Sequence, residues 1–330
     1  MNIYEQQRSN RRRTWLIMAA FVAFLLILGA GFDSLYIGNF GGVVPIGSLL
    51  ALGAGSVGAV ASYYTGDRAV LLSSGAQPIA EVEASASDAD KMKLRQFENV
   101  VDEMAIAAGI PRPPVYIVPD PDPNAFATGR GPGHASIAVT RGLLDALDRD
   151  ELQGVVAHEM SHIRNLDTRV MTIVAALVGA VALLADWARR GMWFGGGARR
   201  GGRDDDRDGG GAAGLIFFVV WIVAIILAPL VAQMLAMMVS RRREFLADAS
   251  GAELTRNPLE LARALETIES AVEPTRAIKR GTAHLCIADP LGRRAADGDG
   301  GGWSNLFASH PPMEQRIAAL KQMAYQFGGH

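Results

Sequence analysis

The sequence contains little cysteine and little charge. Cys286 is the only cysteine in 330 residues, so no disulfide can form within the chain, as suits a protein whose soluble part faces the cytosol. Cys286 lies in an apolar run and is interpreted as a small core residue. The net charge of −2 argues against a nucleic-acid partner. Charged residues make up 20% of the chain and hydrophobic residues 49%, a balance typical of a membrane protein.

Long hydrophobic stretches carry much of this apolar content. The first pair is separated by a short loop without lysine or arginine and predicts a transmembrane hairpin within residues 1–66. The second pair predicts another hydrophobic hairpin at 170–239, joined by a Gly/Arg/Asp-rich loop at 188–214. The stretches run from Trp15 to about Gly31, from about Gly41 to Tyr64, from Val170 to about Trp187, and from about Leu215 to Val239.

Arginine placement predicts the orientation. Arg8, Arg11, Arg12 and Arg13 precede the first stretch, and the positive-inside rule then puts the N-terminus and the soluble segments in the cytoplasm. The loop at 188–214 also carries six arginines, which would face outward if both flanking stretches crossed the membrane. The second hairpin therefore either crosses the bilayer or only dips into it, and both alternatives stay open.

Histidine is scarce as well, yet two of the six histidines stand in register with a glutamate between them. Asp148 and Glu151 have capping-box spacing and predict a helix through this region. His158 and His162 are then one turn apart on one helix face, where both imidazoles can bind one metal ion. Glu159 projects about 100° round the axis, from where it can act as a general base without being a ligand.

The extended motif HExxHxxGxxH is absent, so a third ligand has to come from elsewhere. Glu244 and Asp248 are spaced i and i+4 on a predicted helix and share one face. On one interpretation Glu244 binds the metal, and Asp248 accepts a hydrogen bond from the outer ring nitrogen of a ligating histidine. On the other, this is an exposed helix whose Glu244 pairs with neighbouring arginines.

Four motifs, taken in order, resemble those of the HtpX-type membrane zinc endopeptidases, which share a superfamily with the CAAX prenyl endopeptidases. The resemblance covers nearly the whole chain and departs mainly in the insert near 191–213. It implies a mostly helical α+β, gluzincin-like fold, one Zn²⁺ per chain, and Glu244 as the third ligand. The motifs are Asn124-Ala125-Phe126-Ala127-Thr128-Gly129, His158 to His162, Arg242 to Asp248, and Ser309-His310-Pro311-Pro312.

The resemblance also brings further residues near the cleft. Asn124, Ala125 and Phe126, together with a predicted strand at 136–140, are candidates for an exposed sheet edge that binds extended peptide. Alternatively, Asn124 makes a turn beside a core Phe126. His310 either stabilises the oxyanion, occupies the open metal position as an autoinhibitory ligand, or is an ordinary loop histidine. The catalytic fold is expected to be discontinuous, built from residues 67–169 and 240–330.

The function implied by the resemblance is cleavage of misfolded or damaged membrane proteins on the cytoplasmic side of the bacterial inner membrane. The expected partners are polypeptide substrates, the lipid bilayer and other membrane quality-control proteases. Two alternatives remain. A CAAX-type processing protease would use the same chemistry. A non-catalytic, zinc-stabilised membrane scaffold would not need Glu159.

Overall fold

The structure is a computed structural model that describes residues 3–40, 44–180, 241–271, 277, 282–288 and 311–327. The described chain is mostly helical with one small mixed sheet, which confirms the predicted α+β class. The fourth hydrophobic stretch, the insert at 191–213 and His310 lie outside the described residues. The chain divides into two compact units. The first comprises Met1–Thr14, Tyr64–Ala175 and Ala236–His330, and the second comprises Trp15–Tyr63 and Ala176–Leu235.

The second unit contains most of two long helices, α1 (Ile3–Phe40) and α2 (Ile46–Ser73). Asp33 accepts hydrogen bonds from the backbone amides of Gly47 (2.6 Å) and Ser48 (2.7 Å), so it caps the free amides at the start of α2. The helices approach closely, because a Cβ at Gly29 would lie 2.5 Å from the Gly47 carbonyl oxygen. Small residues are required at this crossing.

Among the described residues, α2 is the helix that is long and apolar enough to cross a membrane by itself. Its most apolar 18-residue window has a mean hydropathy of 1.5, and 11% of that window is buried. The third predicted stretch begins within a helix at residues 167–180, called α7 here. The first residues of that stretch, including Val170 and Val174, are fully buried.

The sheet has four strands in the order β1 (Gln77–Pro78), β2 (Val115–Val118), β4 (Ala135–Thr140) and β3 (Ala125–Gly129). β2 and β4 run parallel, and the other two pairs are antiparallel. The predicted exposed edge at 136–140 is therefore wrong, because β4 pairs on both sides. Sequence alternation cannot reveal which strand of a sheet is central.

Helices pack around this sheet in the part of the first unit that the structure describes. After α2 they are α3 (Ile79–Ser85), α4 (Asp88–Ala108), α5 (Arg141–Ala146), α6 (Arg149–Arg164), α7, α8 (Arg241–Thr255), α9 (Pro258–Glu269) and α10 (Met313–Phe327). Their apolar faces meet in one core that includes Phe97, Ile137, Met160, Leu265 and Leu320. The predicted capping box of α6 is present, with Asp148 accepting from the Glu151 amide and Glu151 accepting from the Asp148 amide.

Two glycines set how closely the helices pack around α6. A Cβ at Gly154 would lie 2.9 Å from the Cα of Leu261, so α9 packs directly on the α6 backbone. A Cβ at Gly251 would lie 3.0 Å from the backbone nitrogen of His158, so α8 also approaches α6 closely. Because Glu244 lies on α8, this second contact determines how near its carboxylate comes to the histidines.

Candidate metal centre

His158 and His162 lie one turn apart on α6 and point to the same place. Both side chains are buried, and their Nε2 atoms are 3.1 Å apart. The rings meet edge to face, with centroids 4.7 Å apart. Two nitrogens this close cannot both carry a proton without strong repulsion, so this pair is suited to sharing a cation.

Glu244 completes the group from α8. One carboxylate oxygen lies 3.7 Å from Nε2 of His158, and the other lies 3.6 Å from Nε2 of His162. Glu244 is 1% exposed. The alternative of an exposed helix that pairs with surface arginines is therefore wrong for this residue. The three side chains each offer one ligand atom, and these atoms lie within 4.8 Å of one another.

The spacing of these atoms fits zinc. Ligands at about 2.0–2.1 Å from a tetrahedral Zn²⁺ stand about 3.3 Å from each other. The observed separations of 3.1, 3.6 and 3.7 Å bracket that value. Two neutral imidazoles and one carboxylate are also the donor set of catalytic zinc sites that keep a position for water or substrate. His158, His162 and Glu244 would thus hold the ion.

Each histidine has a carboxylate beside its outer ring nitrogen. Nδ1 of His158 lies 2.9 Å from Asp248, although the N–H does not point directly at the oxygen, and Nδ1 of His162 lies 3.2 Å from Asp167. A carboxylate there favours the tautomer with its proton on Nδ1 and leaves Nε2 free for the metal. Asp248 was predicted in this role and Asp167 was not, although it lies only five residues after His162.

The two histidines respond differently to this environment. Burial lowers the pKa of His158, more than Asp248 raises it. Burial also acts to lower the pKa of His162, but the hydrogen bond to Asp167 and the negative charge of Glu244 outweigh it and raise the pKa to about 9. Without a metal, the proton shared by the pair therefore resides on His162.

Arg316, on α10, is a site residue that the sequence analysis missed. It is fully buried and donates two hydrogen bonds to Asp248, at 2.8 and 2.7 Å. Nη1 of Arg316 also donates a hydrogen bond to the Ile287 carbonyl oxygen at 2.6 Å. The same nitrogen lies 3.7 Å from the Glu244 carboxylate. Burial acts to raise the pKa of Asp248, but the guanidinium outweighs burial and lowers that pKa to about 2. Arg316 thus keeps Asp248 ionised.

Glu159 occupies the same buried space. Its side chain is 1% exposed, and neither carboxylate oxygen accepts a well-formed hydrogen bond from the described residues. Burial raises the pKa of Glu159 to about 7, while the charge of His162 and the nearby backbone amide of Ala127 partly offset that rise. A carboxyl group with this pKa can take up and return a proton at neutral pH.

Strand β3 brings its outer edge to this carboxylate. The Ala125 carbonyl oxygen accepts from the Ile287 amide (2.9 Å), and the Gly129 amide donates to Thr172 Oγ1 (2.9 Å), so neither group is used in pairing with β4. Along an antiparallel strand, every second residue directs its N–H and C=O towards the neighbouring strand. Ala127 lies two residues from both Ala125 and Gly129, so its N–H and C=O also point away from β4. Its N–H lies near Glu159.

The other predicted residues have mixed outcomes. Asn124, Ala125 and Phe126 are buried, and a bridge from Phe126 to Cys286 covers the edge there, so the expectation of an exposed edge is wrong at these positions. Asn124 instead donates to the Ala288 carbonyl oxygen at 3.1 Å. Their contact with substrate stays a prediction, as does the role of His310. Cys286 is a buried free cysteine, as predicted.

Comparison with known proteins agrees with this geometry. Residues 91–324 match the model of Peptidase family M48. The chain is 40% identical over 322 residues to the Protease HtpX homolog of Streptococcus gordonii, covering 97% of this chain and 100% of that protein. It is 41% identical over 321 residues to the Protease HtpX homolog of Thermoanaerobacter pseudethanolicus, covering 97% and 98%.

Among solved structures, the fold is similar to the crystal structure of S. mikatae Ste24p, with 16% identity and a TM-score of 0.44 over 96% of this chain and 67% of that one. The family match and the close relatives confirm the resemblance inferred from the motifs. The chain thus belongs to Peptidase family M48, as an HtpX-type zinc metallopeptidase whose buried metal-binding group is His158, His162 and Glu244.

Proposed function

We propose that this protein is a membrane-anchored endopeptidase that holds one Zn²⁺ per chain and cleaves misfolded or damaged membrane proteins on the cytoplasmic side of the bacterial inner membrane. The observation that carries the proposal is the placement of Glu159. Its carboxylate is buried beside the metal-binding group, and no side chain among the described residues donates a hydrogen bond to it, so its position suits proton exchange at that group better than a structural role.

In the proposed reaction, Glu159 acts as the general base and then as the general acid. It removes a proton from the attacking water and delivers it to the leaving amine. A zinc ion held by His158, His162 and Glu244 would polarise the scissile carbonyl and make water more acidic. Asp248 and Asp167 keep the Nδ1 protons of His158 and His162 in place, so that both rings present Nε2 to the ion.

Substrate binding is proposed at the outer edge of β3. The carbonyl oxygen of Ala127 points away from β4 and can accept a main-chain hydrogen bond from an extended peptide, while the Ala127 amide faces Glu159. Such pairing depends little on side-chain identity and requires an unfolded segment. Both properties suit an enzyme that removes damaged proteins with diverse sequences.

The membrane anchor supports the choice of substrate class. α2 is apolar and exposes large side chains such as Leu50 (67% exposed) and Val57 (69% exposed), as a lipid-facing helix does. The first predicted stretch, on α1, would complete the hairpin. Anchoring the protease in the same bilayer as its substrates raises their effective concentration at the site. The arginines before Trp15 support a cytoplasmic position for the catalytic segments.

The proposal is tested by changing Glu159 to Gln in the full-length protein. We expect the Glu159→Gln variant to bind zinc like the parent, because Glu159 is not a ligand. Cleavage of an unfolded membrane protein in detergent should fall by about 10²- to 10⁴-fold, the usual effect of removing a general base. Asp150→Asn is the matched control, since Asp150 is an exposed carboxylate on the same helix. Cleavage by Glu159→Gln at the parent rate would refute the assignment.

The same assay separates the alternatives. A zinc-stabilised scaffold would leave the unfolded membrane protein intact even with the parent sequence fully loaded with zinc. A CAAX-type processing protease would cleave only a prenylated C-terminal peptide, supplied in a parallel reaction. Cleavage of the unfolded membrane protein without the prenylated peptide is the outcome expected here.

A further inference from the structure

The N-terminal part of α1, before the apolar stretch, is packed into the first unit by a polar face. Gln6, Asn10 and Thr14 are spaced four residues apart and therefore lie on one side of the helix. All three are buried, at 3%, 0% and 1% exposure. Burying amides at the start of a helix is costly unless they form hydrogen bonds, so their partners indicate what this face is for.

The main partner is Asp167, the carboxylate that faces the metal ligand His162. Oδ1 of Asp167 accepts hydrogen bonds from Asn10 Nδ2 at 2.7 Å and from Gln6 Nε2 at 3.3 Å. Oδ2 of the same group faces Nδ1 of His162 at 3.2 Å. One oxygen is therefore held by α1 while the other orients the histidine. Arg243 adds a weaker contact to Oδ1 at 3.8 Å.

The backbone around Asp167 needs such support. Asp167 follows the C-terminal end of α6, where Leu166 has a φ of +61°, a conformation that a branched side chain rarely adopts. Asn10 also donates to the Asn165 carbonyl oxygen at 2.9 Å, and Gln7 donates to the Arg164 carbonyl oxygen at 2.8 Å. These carbonyls lie at the end of α6 and have no partner within the helix, so α1 also caps α6.

We propose that Asn10 and Gln6 are positioning residues of the metal site, acting through Asp167. By fixing one carboxylate oxygen, they hold the other against Nδ1 of His162, so that Nε2 stays directed at the ion. The polar start of the membrane-anchoring helix α1 thereby becomes part of the metal centre. This inference concerns metal binding and does not depend on the proposed substrates.

The test measures metal binding by the full-length protein in detergent. Zinc affinity is obtained by competition with a chromophoric chelator, and ligand geometry from the visible absorption of the Co²⁺-substituted protein. We expect Asn10→Ala to weaken zinc binding about 10-fold, as loss of outer-sphere partners does, and to shift the Co²⁺ bands. Gln6→Ala should give a smaller loss, because its hydrogen bond is longer.

Gln7→Ala is the matched control. Gln7 lies on the same turn and also bonds the end of α6, but it does not contact Asp167. It should lower thermal stability and leave zinc affinity within twofold of the parent. If Asn10→Ala does not fold, as judged by circular dichroism, the similarly sized Asn10→Leu removes the same N–H donor without adding a charge beside Asp167 and decides the question.

A double-mutant cycle tests whether the effect passes through Asp167. In an Asp167→Ala background, adding Asn10→Ala should change zinc affinity less than twofold, because the carboxylate that Asn10 positions is gone. The inference is overturned if Asn10→Ala binds zinc like the parent, if Gln7→Ala weakens binding equally, or if the Asn10 and Asp167 effects multiply. Since none of these measurements uses peptide cleavage, failure here is distinct from failure of the proposed function.

Discussion

Arg316 is a buried charge that pairs with Asp248, the carboxylate beside the metal ligand His158. Replacing it by Met would leave Asp248 buried without its counter-ion, and removal of one partner of a buried pair costs about 3–5 kcal/mol. We expect this loss in the free energy of unfolding of the metal-free protein, measured by chemical denaturation in detergent.

Lys321, on the same helix, provides the comparison. It pairs with Glu266 at 2.5 Å, but both side chains are about half exposed, at 50% and 45%. Lys321→Ala should therefore cost about 1 kcal/mol or less. Equal losses for the Arg316 and Lys321 variants would contradict the view that burial makes the Arg316 pair important.

His162 makes metal binding depend on pH. Its pKa of about 9 in the metal-free protein means that the ring is protonated at neutral pH, and zinc has to displace that proton. We expect release of about one proton per zinc at pH 7.5, and a rise in zinc affinity of about tenfold per pH unit up to pH 9. Calorimetry in two buffers of different protonation enthalpy measures this directly.

The stability of the metal-free fold depends on pH in the opposite direction from the zinc affinity. The pKa of His162 is raised on folding, so its contribution to stability is fully present below pH 6.5, the ordinary value, and is lost as the pH rises through about 9. Asp167→Ala is the control, because it removes the hydrogen bond that raises this pKa. Proton release at pH 7.5 that is the same in both proteins would count against the explanation.

At the scale of elements, the contact between α8 and α6 places the third ligand. A Cβ at Gly251 would meet the backbone of His158, which cannot move aside as a flexible side chain can. Gly251→Ala should therefore destabilise the protein by about 1–3 kcal/mol, as overpacking does, and weaken zinc binding by displacing Glu244. Thermal unfolding and chelator competition measure the two effects.

Gly133→Ala is the matched control for Gly251→Ala. A Cβ at Gly133 would meet nothing within 4 Å, so stability and zinc affinity should stay near the parent values. A Gly251→Ala variant with normal zinc affinity would mean that α8 can shift without moving Glu244.

The same elements indicate how far sequence reasoning reaches. The capping box of α6 follows from a local pattern, and the structure contains it. The His158 and His162 pair is local too, because helix periodicity puts both on one face. Glu244 could be identified as the third ligand only through the motif resemblance, because it lies more than 80 residues after His162 in the chain.

Contacts between distant polar residues had no local signal. Arg316 reaches Asp248 across 68 residues, and Asn10 reaches Asp167 across 157. An arginine on an amphipathic helix and an asparagine before an apolar stretch look like ordinary surface residues in the sequence. Only tertiary packing makes them buried. The position of β4 inside the sheet was missed for the same reason, because strand order is a non-local property.

For the whole molecule, the sequence predicts on which side of the membrane each loop lies. A reporter fused at Leu35 should be external, and one at Ala84 cytoplasmic, because the arginines before Trp15 are retained inside. A reporter at Gly210 should also be external, because we expect the hydrophobicity of the last two stretches to outweigh the arginines of their loop. Cysteine accessibility or enzymatic reporter activity in intact cells measures all three positions.

A cytoplasmic signal at Gly210 with Leu35 still external would mean that the second hairpin does not cross the bilayer. Replacing Arg8, Arg11, Arg12 and Arg13 by glutamine is the control for the charge argument, and should weaken the inside preference of the N-terminus. An unchanged N-terminus would show that other features determine the orientation.

The first unit is assembled from three separate stretches of chain, and this has a consequence for biosynthesis. Translation delivers Asn10 first, the histidines next, Glu244 later and Arg316 last. A ribosome-bound chain that has passed His162 but not yet Glu244 therefore lacks a complete metal site. We therefore expect the chain to bind zinc only late in its synthesis, after Glu244 has left the ribosome.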